Sequence, residues 1–155
     1  MANLNETVAF GFGIHFGKHA TAIRELAAPL SESQFWTKPF AFGNSFGHLV
    51  LHLTGNLNYY IGAQIAGTGY VRDRPLEFSN GSPPSKADTL KRFDEAIKMV
   101  LQTIKGQSAE DWSKEYSGAG ADARNRFEMI LQCDSHLQHH IGQMMFLSFE
   151  FKKKS

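Results

Sequence analysis

Apolar residues recur at three- and four-residue steps in four stretches of this 155-residue chain, and each stretch reads as an amphipathic helix. The first carries Val8, Phe12, His15, Phe16, His19, Ile23 and Leu26 and is closed by Pro29. Gly11, Gly13 and Gly17 lower its intrinsic helicity by up to about 1 kcal/mol each relative to alanine. Packing must therefore hold this helix, and close approach to a neighbour is the expected use of its glycines. The second helix opens at Asn44-Ser45, both good N-cap types, and runs to about 66 through Phe46, Leu49, Leu53, Leu57, Tyr60 and Ile61. Gly67-Thr68-Gly69 stops it. The third spans 86–105 on Leu90, Phe93, Ile97, Leu101 and Ile104, and Gly106 ends it; it has no histidine and reads as a packing helix. The last, about 122–149, presents Phe127, Ile130, Leu131, Leu137, Ile141, Met144 and Met145. Nothing alternates with period two, and there is no internal repeat. The pattern predicts an all-α fold, a four-helix bundle forming one domain over 1–155. The connections, including 31–42 and a stretch with a short turn around Trp112, exceed the usual bundle loops of about 2 to 8 residues. They are expected to cross the bundle ends or to carry function.

Composition narrows the function classes. The formal net charge of +1 gives no reason to expect nucleic acid. The basic cluster Lys152-Lys153-Lys154 reads as a solvated end. No apolar run approaches the roughly 18 to 20 residues that cross a bilayer, so no membrane is expected. The first residues lack the charged-then-apolar order of a signal peptide. The single Cys133 cannot form an internal disulfide and reads as a small buried hydrophobe, which fits a cytoplasmic protein.

The histidines change the picture most. Three pairs stand four residues apart: His15 and His19, His48 and His52, His136 and His140. Seven histidines placed at random would give roughly 0.3 such pairs. An i,i+4 pair stacks two imidazoles on one helix face, where they can share a metal ion with a third donor from a facing helix. His136 and His140 read as ligands. Either His48 or His52, one turn apart, can supply the third nitrogen. Three imidazoles suit a borderline divalent ion such as zinc or nickel at about 2.0 to 2.1 Å and leave a position for water or substrate. Binding is expected to fall below about pH 6, because only neutral imidazole ligates. One cysteine excludes a cysteine-rich structural zinc knot. Glu-x-x-His, His-Glu-x-x-His and Cys-x-x-Cys-His are all absent, which removes di-iron carboxylate, zinc-protease and attached-haem readings. His15 and His19 read as packing or supporting residues, and His139, about 100° around the helix from His140, points elsewhere. Gln143 is placed to hydrogen-bond a ligand or metal-bound water, or to serve as an interface amide. Arg72, Asp73 and Arg74 could clamp an anionic substrate, although a solvated loop ion pair is the plainer reading.

The segment Asn44-Ser45-Phe46-Gly47-His48-Leu49-Val50-Leu51-His52-Leu53, taken with His136-Leu137-Gln138-His139-His140-Ile141-Gly142-Gln143, resembles the DinB-like superfamily of bacterial four-helix bundles. The stretch from Leu30-Ser31 through Lys38-Pro39 resembles that family's loop into the second helix. The resemblance implies an up-down-down-up bundle, a homodimer, and a divalent metal, zinc or nickel, held by His52, His136 and His140. It also implies a metal-dependent transferase or isomerase that uses a low-molecular-weight thiol such as bacillithiol, mycothiol or glutathione, although many members have no known activity. The expected function is S-transfer or isomerisation on an electrophilic small molecule, with Arg72 and Arg74 available to its carboxylates. The competing readings are a non-catalytic metal- or ligand-binding stress-response protein, and a structural dimer whose histidines hydrogen-bond one another.

Overall fold

Side-chain caps fix where the long helices begin. Asn3 opens α1 (Leu4–Ala27) with a reciprocal pair of hydrogen bonds: the Glu6 N–H donates to Asn3 Oδ1 at 2.9 Å and the Asn3 N–H to Glu6 Oε2 at 3.2 Å. Ser31 and Gln34 repeat the device at α2 (Glu32–Trp36). Ser45 caps α3 (Phe46–Leu57), Ser85 caps α4 (Lys86–Lys105), Ser108 caps α5 (Ala109–Ser113) and Asn125 caps α6 (Arg126–Lys152). Each such cap stabilises its helix by typically ~1 kcal/mol. The computed structural model describes residues 3–79 and 81–153. Among these every regular element is helical, and the one extended pairing is an isolated antiparallel bridge between Glu115 and Asn125. Lys154 and the first two residues lie outside the described residues. No helix among the described residues is long and apolar enough to cross a membrane.

α1 packs against α4 and α6, and α3 packs against the same two helices. The core between them draws Phe16 and Ile23 from α1, Leu53 and Leu57 from α3, Phe93 and Val100 from α4, and Ile130, Leu137 and Met144 from α6, all fully buried. Burying a side chain of this size contributes about 1.5–3 kcal/mol, enough to offset the weak helicity of α1. Close approach does not explain the glycines of α1: a Cβ added at Gly11, Gly13 or Gly17 would meet nothing within 4 Å.

The boundaries differ from the expected ones in three places. The 31–42 connection contains α2. The second long helix keeps α geometry only to Leu57 and then widens into a π-helical turn, Asn58–Ala63, in which the Gln64 N–H reaches back five residues to the Tyr59 carbonyl (3.2 Å). The last helix begins at Arg126 rather than near 122, because the preceding chain doubles back on itself. There the Tyr116 N–H donates to the Arg124 carbonyl (3.1 Å) and the Arg126 N–H to the Lys114 carbonyl (3.0 Å). Three residues of the predicted α6 stripe, Phe127, Leu131 and Met145, are exposed, as are Phe146 and Phe149.

Candidate metal centre

α3 and α6 face each other where His52 meets His136 and His140. The His136 Nε2 lies 3.2 Å from His52 Nε2 and 2.9 Å from His140 Nε2, and one donor nitrogen from each ring falls within 4.8 Å of the others. His52 is buried, while His136 and His140 are half-buried at the rim. Two rings are held from behind. His52 Nδ1 donates to Glu77 Oε2 at 2.8 Å, and His140 Nδ1 donates to Gln143 Oε1 at 2.7 Å. Those bonds place the protons on Nδ1, the tautomers being assigned from these partners, so both rings turn an unprotonated Nε2 toward His136. The His136 Nδ1 is buried with no hydrogen-bond partner.

This arrangement is poorly satisfied without a cation. The one proton His136 Nε2 can carry serves one neighbouring lone pair, not two. Donors about 2.0–2.1 Å from a shared ion, at angles between the octahedral and tetrahedral values, lie about 2.9–3.4 Å apart. The two Nε2 separations, 2.9 and 3.2 Å, fall in that range. The donor set and its spacing therefore fit a divalent ion.

Glu77, a residue of the connection between α3 and α4, is the main supporting residue. It ends a short 3₁₀ turn (Pro75–Glu77) and is buried. Arg72 grips it with Nε to Oε1 at 2.7 Å and Nη2 to Oε2 at 2.9 Å. Burial alone would raise the Glu77 carboxyl, but the hydrogen bonds from His52 and Arg72, with the Arg72 charge, outweigh it and hold the pKa below the ordinary value. Phe78 adds an aromatic wall, its ring centroid 4.9 Å from that of His52. Neither residue has a local sequence signature tying it to His52.

The other predicted residues fall as follows. His48 does not join the cluster: its Nδ1 pairs with Ser45 Oγ at 2.6 Å and its ring packs edge-on against Trp36. Gln143 stands behind His140, and His139 is exposed outside the cluster. Arg72 is committed to Glu77 in a pair that is largely buried rather than solvated. Arg74 is exposed, with its guanidinium 5.9 Å from the Phe78 ring centroid, and Asp73 Oδ1 accepts the Leu76 N–H (3.4 Å). Cys133 is buried, and burial pushes its thiol up to about 12. His15 and His19 lie on the other side of α6, against Asp134.

The family model of the DinB superfamily matches residues 15–144, a span that holds all three converging imidazoles and Glu77. The chain belongs to the DinB superfamily. No individual curated protein matches it significantly.

In this DinB superfamily chain Gly55, one turn after His52 on α3, leaves room for the carboxylate. A Cβ at that position would collide with Glu77 Oε1. Gly55→Ala should add helix propensity, up to about 1 kcal/mol, yet weaken divalent-metal affinity by about 10–100-fold, because it displaces the carboxylate that orients the His52 ring. Metal titration of both proteins, with thermal melts alongside, checks this; unchanged affinity would contradict it.

Protonation follows from burial. Desolvation, with His140 and His52 close by, lowers His136 to about 3, and burial leads the lowering of His140. Protons therefore compete with a metal less than the free-histidine value of about 6.5 implies, and retention should extend below the pH 6 expected from sequence. For the metal-free protein the sign is definite. His136 and His140 bind protons more weakly folded than unfolded, so their stabilising contribution is full above about 6.5 and is lost as pH falls toward their folded values. Glu77, also lowered, acts in the same direction at lower pH. The melting temperature of chelator-treated protein should be lower at pH 5 than at pH 7.5; a higher one would contradict these assignments.

Proposed function

We propose that this DinB superfamily protein holds one divalent ion, zinc or nickel, on His52, His136 and His140 and acts as a metal-dependent low-molecular-weight thiol S-transferase or isomerase on electrophilic small molecules. The observation that carries the reading is the convergence of three Nε2 atoms with an unprotonated lone pair on at least two of them. A bound divalent ion supplies Lewis acidity, lowering the pKa of a thiol or water in its remaining positions. Glu77 fixes the ring of His52, and Gln143 that of His140, so that little reorganisation is needed on loading. Cys133 is no candidate nucleophile, being buried and protonated, which leaves the thiolate to a small molecule such as bacillithiol, mycothiol or glutathione.

Space and charge for a substrate adjoin the site. A cavity of about 220 Å³ is lined by His136, Asn56, Tyr60 and Gln132. Beyond Gln143 an apolar pocket of about 340 Å³ lies among Phe40, Phe42, Leu49 and Phe146, suited to the hydrocarbon part of an electrophile. Arg74, exposed beside Phe78, offers a cation to a substrate carboxylate, with Arg72 contributing charge from behind Glu77.

The reading extends to architecture and assembly. An up-down-down-up four-helix bundle is supported by pairs that rise together on α1 and α6, His19 with Asp134 and Leu26 with Ser148, and by pairs that run oppositely along α1 and α4, where Arg24 of α1 meets Asp94 and Leu30, just past the end of α1, meets Lys86 at the start of α4. α3 runs against α6: His52 meets His136 and His140, and Asn56 shares a cavity with the earlier Met129. Exposed Leu131, Met145, Phe146 and Phe149 on α6 give a second copy an apolar face, as a homodimer requires. A single buried cysteine with no partner for an internal disulfide is compatible with a cytoplasmic setting for this reaction.

The deciding experiment incubates the metal-loaded protein with panels of thiols and electrophiles and measures adducts by mass spectrometry. Metal-dependent turnover lost in His140→Ala is expected. Stoichiometric metal with no adduct across the panel would leave only the non-catalytic metal-binding reading.

A further inference from the structure

α6 turns a second set of donors away from the three-histidine cluster. Asp134 precedes His136 by two residues, which is about 200° around a helix of 3.6 residues per turn, so its carboxylate faces α1 instead of α3. There Oδ1 lies 3.0 Å from His19 Nε2, and Oδ2 lies 3.4 Å from His15 Nδ1. The two imidazoles are one turn apart on α1 and perpendicular, their centroids 6.2 Å apart. One donor atom from each of the three residues falls within 4.8 Å of the others.

Burial is graded across this cluster. The side chains of His19 and Asp134 are 9% and 14% exposed, whereas that of His15 is 61% exposed. Two donors are thus fixed between packed helices, while the third stands at the surface. Two imidazoles and one carboxylate form a mixed nitrogen–oxygen set that selects borderline divalent cations and leaves several coordination positions to water. The donors come from two helices, so an ion bound to all three would tie α1 to α6. Gly11, Gly13 and Gly17 surround His15 in sequence, and the tie falls where α1 has its weakest intrinsic helicity.

We propose that His15, His19 and Asp134 form a second divalent-cation site, a clip between α1 and α6 taking zinc, cobalt(II) or manganese(II), separate from the three-histidine centre. His19 Nε2 and Asp134 Oδ1 also pair directly by a hydrogen bond of 3.0 Å. The ion adds stability, and His15 is the donor that distinguishes a metal clip from that hydrogen bond alone.

The test is equilibrium dialysis of full-length protein against zinc, and against cobalt(II) with its visible absorption as a second signal. A competing chelator of micromolar strength removes loose surface ions. Wild type should bind one equivalent per chain more than His15→Ala, and metal should raise the melting temperature of wild type more than that of His15→Ala. Asp134→Asn, nearly isosteric, should lose the same equivalent. His15 is exposed, so its replacement leaves the fold intact and decides the matter even if the Asp134 variant fails to fold. Equal binding by wild type and His15→Ala overturns the proposal. The parallel variant His140→Ala reports only on the three-histidine centre, so failure of either site is read separately.

Discussion

Alanine at position 136 is expected to strip the divalent ion from the three-histidine centre while leaving the helices in place. The ring supplies the middle nitrogen of the cluster, 3.2 Å from His52 Nε2 and 2.9 Å from His140 Nε2, and no other side chain of the cluster stands between those two. Loss of a residue that merely orients a ligand costs about 10–100-fold in metal affinity; removing a ligand from a set of three should exceed that range. The fold should tolerate the change, because the ring is only half-buried and its Nδ1 is buried without a partner, so the substitution also removes an unsatisfied polar atom. Zinc titration and far-ultraviolet circular dichroism test both halves. Affinity within a few-fold of wild type would remove His136 from the ligand set.

Glu77→Ala should cause the largest loss of stability among substitutions around the site. The Arg72 and Glu77 side chains are 10% and 7% exposed, so the alanine would strand a guanidinium away from water. Breaking one partner of a buried pair costs about 3–5 kcal/mol, against roughly 1 kcal/mol for a typical substitution. The same change frees the Nδ1 side of His52 and should weaken metal binding by about 10–100-fold. Glu77→Gln, which keeps an oxygen for His52 but removes the charge, should fall between. Denaturant unfolding of the metal-free proteins isolates the first effect, and zinc titration measures the second. A loss under about 1 kcal/mol would mean that water already reaches Arg72.

The parts of this account that were legible in the sequence are those set by local register. α4 occupies the expected 86–105 because a regular stripe runs between Ser85 and Gly106. His136 and His140 share a helix face because four residues make about one turn. The difference between His48 and His52 is a tertiary matter: α6 brings His136 Nε2 to 3.2 Å from His52 Nε2, whereas the His48 ring packs against Trp36. Glu77 and Phe78 reach His52 through a loop whose path no periodicity encodes. α2 carries a local signal of its own, since Ser31 and Gln34 form the same reciprocal cap as Asn3 and Glu6. The exposed Phe127, Leu131 and Met145 mark the opposite limit: α6 has more apolar residues than one core-facing stripe can bury, and sequence alone does not say which turn outward.

The most direct measurement is the metal content of tag-free protein beside that of a variant with alanine at positions 52, 136 and 140, both purified without added metal. Wild type should retain close to one more equivalent of zinc or nickel per chain than the triple variant, at equal helicity. Equal metal in the two proteins would contradict the three-histidine centre.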